Sequence, residues 1–355
     1  MTLAVTLAQI NSTTGAVAAN RDTIVRAYER AAEAGADLVV FPEMAIPGYC
    51  ALDLLEDGTF LDANEAALAR IAEATGATAA IVGFVDRDDR GRYNAAAVLQ
   101  NGTVRGITRK VNLPDYRYFD EGRYFTPGRA VEPIDIATDD GPVAVGVVIC
   151  EDLWDAEYDR RPVSTLIAGG ADLVVAVNAS PFEAGKRGER DAVIRRHGRE
   201  IGLPILYVNT VGAADVGANV VVFDGDSLAY DGSGAPVARG AQFEPDRVRV
   251  MVDPDDGTVT PVDPDVWGVE FTDEGIALEC REQEVYEALV LALRDYARKT
   301  GFERVIEPVS GGIDSSLGLS ICVEALGPEN VVAYNLPSQV NTETTKALAA
   351  EVAEN

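Results

Sequence analysis

Three short motifs in the first half of the chain carry the side chains of a hydrolytic centre. FPEMAIPGY (41–49) holds Glu43, RKVNLPDYRYFDEGRYF (109–125) holds Lys110, and VVICEDLW (147–154) holds Cys150. Each ends or follows a strand-like run, and in α/β folds such positions lie on loops over a sheet edge, where sites collect. A thiol becomes a nucleophile when a base or a nearby positive charge draws it toward thiolate. Histidine occurs once, at position 197, so Glu43 is the available base. Lys110 could lower the thiol pKa and stabilise a tetrahedral oxyanion. Together the three groups suit hydrolysis of an amide or nitrile through a thioester. Singly they say less: a cysteine at a strand end is often a small core residue, and a glutamate after Phe-Pro fits a solvated loop. Lysine is different. Of 30 basic residues only four are lysine (Lys110, Lys186, Lys299, Lys346), which suggests a task at position 110 that arginine does not perform.

A second constellation, SGGIDSS (310–316), lies between a strand-like run and a helical one. Glycines there let backbone approach a phosphate, successive N–H groups form an anion nest, and a helix N-terminus adds positive field. The loop lacks the lysine of a GxxxxGK[ST] motif and is not a Walker loop. Glu307-Pro308 just before it places a residue without a ladder donor, which is tolerable at a strand end.

Positioning these groups requires alternating layers. Strand-like runs at 3–10, 37–41, 79–85, 143–149, 172–177 and 204–209 alternate with helical stretches at 20–34, 60–75 and 186–201. Gly35, Gly76 and Gly202 fall where left-handed helix caps belong. Two hairpins are expected, one turning at Asn101-Gly102 and one in the run 220–240. The Asp-, Pro- and Gly-rich segment 253–275 reads as a connection. After it, helices at 281–299, 316–326 and 342–354 and strands near 303–309 and 330–336 begin a parallel α/β sheet. Two strands make an incomplete parallel sheet, so the expectation is a partial second domain, its remainder missing or supplied by a separate chain.

Length and composition agree with this outline. The 355 residues allow two domains, and 47% apolar residues supply a core. With 58 acidic residues the net charge is −28, which opposes binding to nucleic acid or anionic lipid surfaces. A halophilic host and an acidic mesophile both fit that charge. His197 sits in a polar helical run and reads as an exposed structural residue. Two-histidine metal sites are excluded. Cys50, Cys150, Cys280 and Cys322 form no CxxC. No membrane-length apolar run and no signal-peptide pattern is present, which points to a soluble cytoplasmic protein of a reducing compartment.

In this order the three motifs resemble the Glu-Lys-Cys triad of the nitrilase, or carbon–nitrogen hydrolase, superfamily. KVNLPDYRYFDEGRYFTPG, ICEDLW and NASPFEAGKRGER (178–190) resemble more narrowly the glutaminase domain of glutamine-dependent NAD synthetases. The resemblance implies an α/β fold: an αββα sandwich over 1–260, a linker over 261–278, and over 279–355 the start of a parallel α/β domain of the adenine nucleotide α-hydrolase kind. It makes Cys150 the nucleophile, Glu43 the general base and Lys110 the oxyanion stabiliser. Tyr116, Phe119 and Glu121 would line a glutamine pocket, and Ser180 and Lys186 would hold the amino-acid end.

SGGIDSS resembles the pyrophosphate loop of ATP pyrophosphatases, which would place Ser310, Gly311, Gly312 and Ser315 at ATP phosphates and Asp314 at Mg2+. LPSQ (336–339) resembles the family's segment near the nucleotide. The implied substrates are glutamine, nicotinic acid adenine dinucleotide and ATP, in a homo-oligomer without nucleic-acid or membrane partners. Ammonia would travel through an enclosed channel. Two departures stand out: PGYCALDL (47–54) has Cys50 and Ala51 where the family has prolines, and the loop after Asn209 differs in composition. A stand-alone amidase with a vestigial C-terminal stub and a non-catalytic binding subunit remain as other readings.

Overall fold

The β-branched runs are buried on both faces, and the computed structural model shows what covers each. It describes residues 1–117, 119–217, 219–262, 271–272, 275–276, 281–337 and 342–354. The chain divides into two units, Met1–Gly212 with Phe223–Leu278, and Ala213–Val222 with Glu279–Asn355.

The first unit opens with β1 (Leu3–Gln9), α1 (Val17–Glu33), β2 (Leu38–Val40), α2 (Gly58–Ala74), β3 (Ala79–Asp88), β4 (Gly91–Gln100) and β5 (Thr103–Arg109). Next come the single turn α3 (Glu121–Tyr124), β6 (Ile134–Thr138), β7 (Gly141–Ile149), α4 (Pro162–Ala168), β8 (Leu173–Asn178), α5 (Lys186–Ile201) and β9 (Ile205–Asn209). β10 (Val211–Asp215) and β11 (Val220–Asp224), most of whose residues belong to the second unit, come next in the chain, and β12 (Leu228–Tyr230), β13 (Pro236–Arg239), β14 (Asp246–Asp253) and β15 (Thr258–Pro261) of the first unit follow. The two-residue strands β16 (Phe271–Thr272) and β17 (Gly275–Ile276) pair with each other.

One sheet runs β15-β14-β1-β2-β3-β4-β5 and the other β13-β12-β9-β8-β7-β6. Successive residues of a strand enter different cores, as the period-2 pleat requires. Leu38 and Val40 of β2 and Val175 and Val177 of β8 meet in the core between the sheets. Val39 packs under α1 and α2, and Val174 and Ala176 pack under α4 and α5. The result is the expected αββα sandwich.

Local signals account for much of it. Asn101 and Gly102 have φ of 55° and 75° and close the β4–β5 hairpin, the geometry for which Asn-Gly is suited. Gly35 (φ 82°) and Gly202 (φ 70°) are left-handed caps, whereas Gly76 is not among the positive-φ residues. There α2 ends with Thr75, in extended conformation, bonding its N–H and hydroxyl to the Ala72 carbonyl.

Other expectations fail. The run 220–240 is not one hairpin: β11 pairs with β10, and β12 pairs with β13 and β9. The connecting segment begins later than 253, because β15 pairs with β14 from Thr258 to Pro261. Most of the expected linker, 261–278, lies outside the described residues. Cys50 has φ 69°, which proline cannot adopt, so the loop takes a conformation that the family's proline at this position would not allow.

His197 is buried, not exposed. α5 looks polar because its arginines are paired inside the protein: Arg190 meets Asp224 at 3.0 Å and Asp226 at 3.2 Å.

In the second unit α6 (Arg281–Thr300), β18 (Val305–Pro308), α7 (Ile313–Leu326), β19 (Val331–Tyr334) and α8 (Glu343–Glu354) follow the expected order. β18 and β19 are parallel, with Pro308 at the strand end opposite Tyr334. One of the scarce lysines has a structural task here: Lys299 Nζ donates to the Ala213 carbonyl at 2.8 Å and pairs with Asp295 at 3.0 Å.

Gly83 of β3 lets the loop bearing Glu43 lie against the sheet. A Cβ there would stand 2.3 Å from the Pro42 carbonyl oxygen and 2.4 Å from Met44 N. Gly83→Ala is therefore expected to destabilise the protein by about 1–3 kcal/mol in urea unfolding. Gly76→Ala, whose Cβ meets nothing within 4 Å, is the control and should change little.

Candidate active site

The ends of β2, β5 and β7 deliver Glu43, Lys110 and Cys150 to one buried cluster. Lys110 Nζ donates to Glu43 Oε1 and to Glu121 Oε1, each at 2.8 Å. Glu43 is fixed on both oxygens, Oε1 also accepting from Asn94 Nδ2 at 2.7 Å and Oε2 from Ala179 N at 2.7 Å. Since β2 and β8 belong to different sheets, Glu43 also ties the two together. Glu121 Oε1 accepts a second bond from the Tyr49 hydroxyl at 2.7 Å.

Burial alone would lower the Lys110 pKa, but Glu121 and Glu43 outweigh it and hold the ammonium well above its ordinary value. Burial raises the Glu121 carboxyl, with Lys110 pulling the other way.

Cys150 follows β7 in the left-handed region (φ 47°) and opens a 3-10 turn, Cys150–Leu153. For a non-glycine residue this is a strained conformation that its surroundings must hold. Burial pushes the thiol well above its usual pKa, Glu43 adds to this, and Lys110 opposes it. Lys110 does pull the thiol pKa down, but burial and Glu43 outweigh it.

The turn is held at both ends. Asp152 accepts from Asn112 N at 2.8 Å, Val111 N at 3.0 Å and Ile149 N at 3.3 Å, and burial raises its carboxyl to about 7 against those donors. His197 Nε2 lies 2.8 Å from the Leu153 carbonyl and donates to it, and burial lowers the ring's pKa.

Beside Cys150 lies a cavity of about 240 Å³ whose walls include Tyr116, Phe119, Ser180 and Lys186. Glu121 is not on its lining; it stands behind, in the Lys110 cluster. Sequence reasoning missed Glu151, Trp154, Glu183 and Glu189, which line the cavity. Glu151 accepts from the Tyr116 hydroxyl at 3.0 Å and the Tyr158 hydroxyl at 2.9 Å. Lys186 lies over the Trp154 ring at 5.8 Å, its pKa lowered first by burial and then by Arg190. Ser180 is set by Asn209, whose Oδ1 accepts from Ser180 N at 2.9 Å and whose Nδ2 donates back to the Ser180 carbonyl at 3.1 Å. Asn94 had a signal, a polar residue opening the small apolar run Ala95–Leu99. Glu151 and Asp152 were visible as paired acids after Cys150.

In the second unit Ser310, Gly311, Gly312, Asp314 and Ser315 come together at the start of α7. The Ser310 and Ser315 hydroxyls lie 3.1 Å apart, and Ser310 Oγ accepts from Gly312 N at 3.3 Å. Gly311 (φ 81°) has a further reason to be glycine, because a Cβ would stand 2.4 Å from the Thr345 carbonyl of α8. Asp314 lies in the first turn of α7. Ser338 and Gln339 of LPSQ lie outside the described residues. Among the described residues no cluster of three or more metal-ligating side chains exists and no helix is long and apolar enough to cross a membrane.

The αββα sandwich, with a thiol, an ammonium and carboxylates gathered at its strand ends, is the architecture of a carbon–nitrogen hydrolase. Residues 4–261 match the family described as carbon-nitrogen hydrolase, and the chain belongs to that family. Residues 285–355 match the family described as NAD synthase. A glutamine-dependent NAD(+) synthetase of Xanthomonas campestris pv. campestris is 42% identical over 355 residues, covering 99% of this chain and 60% of the relative. The structure of a glutamine-dependent NAD+ synthetase from Acinetobacter baumannii, in complex with ADP, matches with a TM-score of 0.87 at 33% identity, over 99% of this chain and 62% of that one. A carbon-nitrogen hydrolase from Helicobacter pylori shares the fold of the first unit, with a TM-score of 0.62 at 22% identity over 72% of this chain and 90% of that one. The chain spans about three-fifths of the length of the curated relatives it matches.

The buried charges are expected to respond unequally to substitution. Lys110→Met leaves two carboxylates without their cation and should cost about 3–5 kcal/mol, whereas Glu121→Gln leaves the Glu43–Lys110 pair and should cost much less. In Lys110→Met the carboxyl pKa rises above its unfolded value. The folded variant therefore gains stability relative to wild type as the pH falls. Urea unfolding at pH 8 and pH 5 checks this: the deficit should be smaller at pH 5.

Proposed function

We propose that the first unit hydrolyses glutamine and that the protein uses the ammonia to amidate an adenylated dinucleotide, making NAD. The observation that carries the first half is the Glu43–Lys110–Glu121 cluster behind Cys150, beside a small cavity lined by both Lys186 and carboxylates. A side-chain carboxamide at Cys150 leaves a zwitterionic amino-acid end, with Lys186 and Ser180 suited to its carboxylate and Glu151 to its ammonium.

Cys150 Sγ attacks the carboxamide carbon as Glu43 takes the thiol proton. The tetrahedral oxyanion is stabilised by the Lys110 ammonium. Glu43 passes its proton to the departing nitrogen, ammonia leaves, and a thioester remains. Water then attacks, Glu43 accepts its proton, and glutamate departs as the proton returns to sulfur. Glu121 and Tyr49 hold Lys110 in place.

The second half rests on SGGIDSS and on the relatives. Backbone N–H groups and the hydroxyls of Ser310 and Ser315 would take ATP phosphates at the α7 N-terminus. Asp314 would contribute one carboxylate to a Mg2+ held mainly by phosphate and water, which suits a loop without a carboxylate cluster. Ammonia would displace AMP from adenylated nicotinic acid adenine dinucleotide. A cytoplasmic location agrees with these substrates.

The test is ammonia release by the purified 355-residue chain. Glutamine should yield ammonia and glutamate in equal amounts, and Cys150→Ala or Glu43→Gln should lower kcat by at least about a thousandfold. Faster turnover of simple aliphatic amides than of glutamine would favour the stand-alone amidase instead. Cys150→Ala with wild-type rates would contradict both.

A further inference from the structure

Lys110 and Cys150 stand on different sheets. β5 is an edge strand of the seven-stranded sheet and β7 lies in the six-stranded one. No ladder hydrogen bond therefore fixes the ammonium relative to the sulfur. We propose that Asp152 does so, as a positioning residue for the hydrolytic reaction. Its carboxylate is fully buried and takes donors from both elements. Oδ1 accepts from Asn112 N at 2.8 Å and Val111 N at 3.0 Å, the two residues that follow Lys110. Oδ2 accepts from Ile149 N at 3.3 Å, the residue that precedes Cys150, and at the same distance from Val111 N, which it shares with Oδ1. One side chain thus brackets the strained Cys150 backbone and anchors the chain just past Lys110. These bonds all go to backbone N–H groups, so Asp152 acts through the two reacting residues.

Asparagine separates the two anchors. With its single carbonyl oxygen toward Asn112 and Val111 at the Oδ1 position, its amide N–H groups face the Ile149 N–H donor against donor, and Val111 keeps only the shorter of its two bonds. The Cys150 turn is then loosened while the Lys110 anchor stays.

The proposal rests on the hydrolase reading, but part of its test does not need glutamine. Wild type, Asp152→Asn and Asp152→Ala are compared in the full chain by kcat and KM for glutamine, by iodoacetamide alkylation of Cys150, and by thermal unfolding. Asp191→Asn is the control, a buried carboxylate that accepts from the Tyr230 hydroxyl at 2.7 Å. Asp152→Asn should lower kcat and the alkylation rate at least about tenfold, with KM within about twofold, since a small displacement of reacting groups has such effects. Asp152→Ala should lose more. Asp191→Asn should shift the unfolding temperature and leave kcat unchanged. If Asp152→Asn lowers the unfolding temperature but keeps wild-type kcat and alkylation, Asp152 only stabilises and the proposal fails. If Asp152→Ala does not fold, Asp152→Asn decides. A wild-type chain that does not hydrolyse glutamine overturns the substrate reading, and the alkylation rates still decide the role of Asp152.

Discussion

One buried ammonium shared by two buried carboxyl groups, at the end of the seven-stranded sheet and on α3, is the interaction on which the rest depends. Removing these charges from water is expensive, and mutual attraction offsets the cost only when the geometry is close and the remaining lone pairs are satisfied. The protein meets both conditions around Glu43, whose oxygens take Lys110, Asn94 and the Ala179 amide. Each partner comes from a different segment. The glycine beneath the Glu43 loop, the β4–β5 hairpin that ends beside Lys110, and the parallel pairing of β7 with β8 all bring donors and acceptors to this one place.

Two carboxyl groups share the one ammonium of Lys110, and that balance shapes the chemistry. Burial and Glu43 push the Cys150 thiol pKa up, which suits the proposed mechanism in which Glu43 takes the thiol proton as sulfur attacks. The alternative, a resting thiolate paired with a cation, would need positive charge to dominate around the sulfur, and Lys110 is already engaged by two carboxylates. With a glutamate as base, the single histidine is free for a structural task. His197 holds the Leu153 carbonyl at the end of the nucleophile turn. The −28 charge likewise says little about the site, where Lys110 and Lys186 supply positive charge locally.

The sequence made the three motifs legible because each couples a reactive residue to a strand end, and the Asn-Gly turn because few other dipeptides tolerate two positive φ values. Its failures have physical causes. His197 and α5 were misjudged because arginines that pair with buried Asp224 and Asp226 look the same in sequence as arginines in water. β15 was missed because Thr258–Pro261 is short and lies among turn residues, and its pairing with β14 is a tertiary choice. Glu121 reads as a pocket wall because its neighbours Tyr116 and Phe119 are on the wall; only the single turn of α3 shows that it points to Lys110. Gly311 was read as room for a phosphate, and in the folded chain it is also room for α8.

The central claim is that Glu43 serves Cys150 as proton acceptor and not as a source of charge that stabilises thiolate. It is tested most directly by titrating the Cys150 thiolate at 240 nm, with the Cys150→Ala protein subtracted, in wild type and in Glu43→Gln. Removing a negative neighbour while Lys110 remains should lower the thiol pKa, so the variant should hold more thiolate at neutral pH and yet fail to turn over. A wild-type thiolate already formed at pH 7, or a variant whose thiol pKa rises, would contradict it.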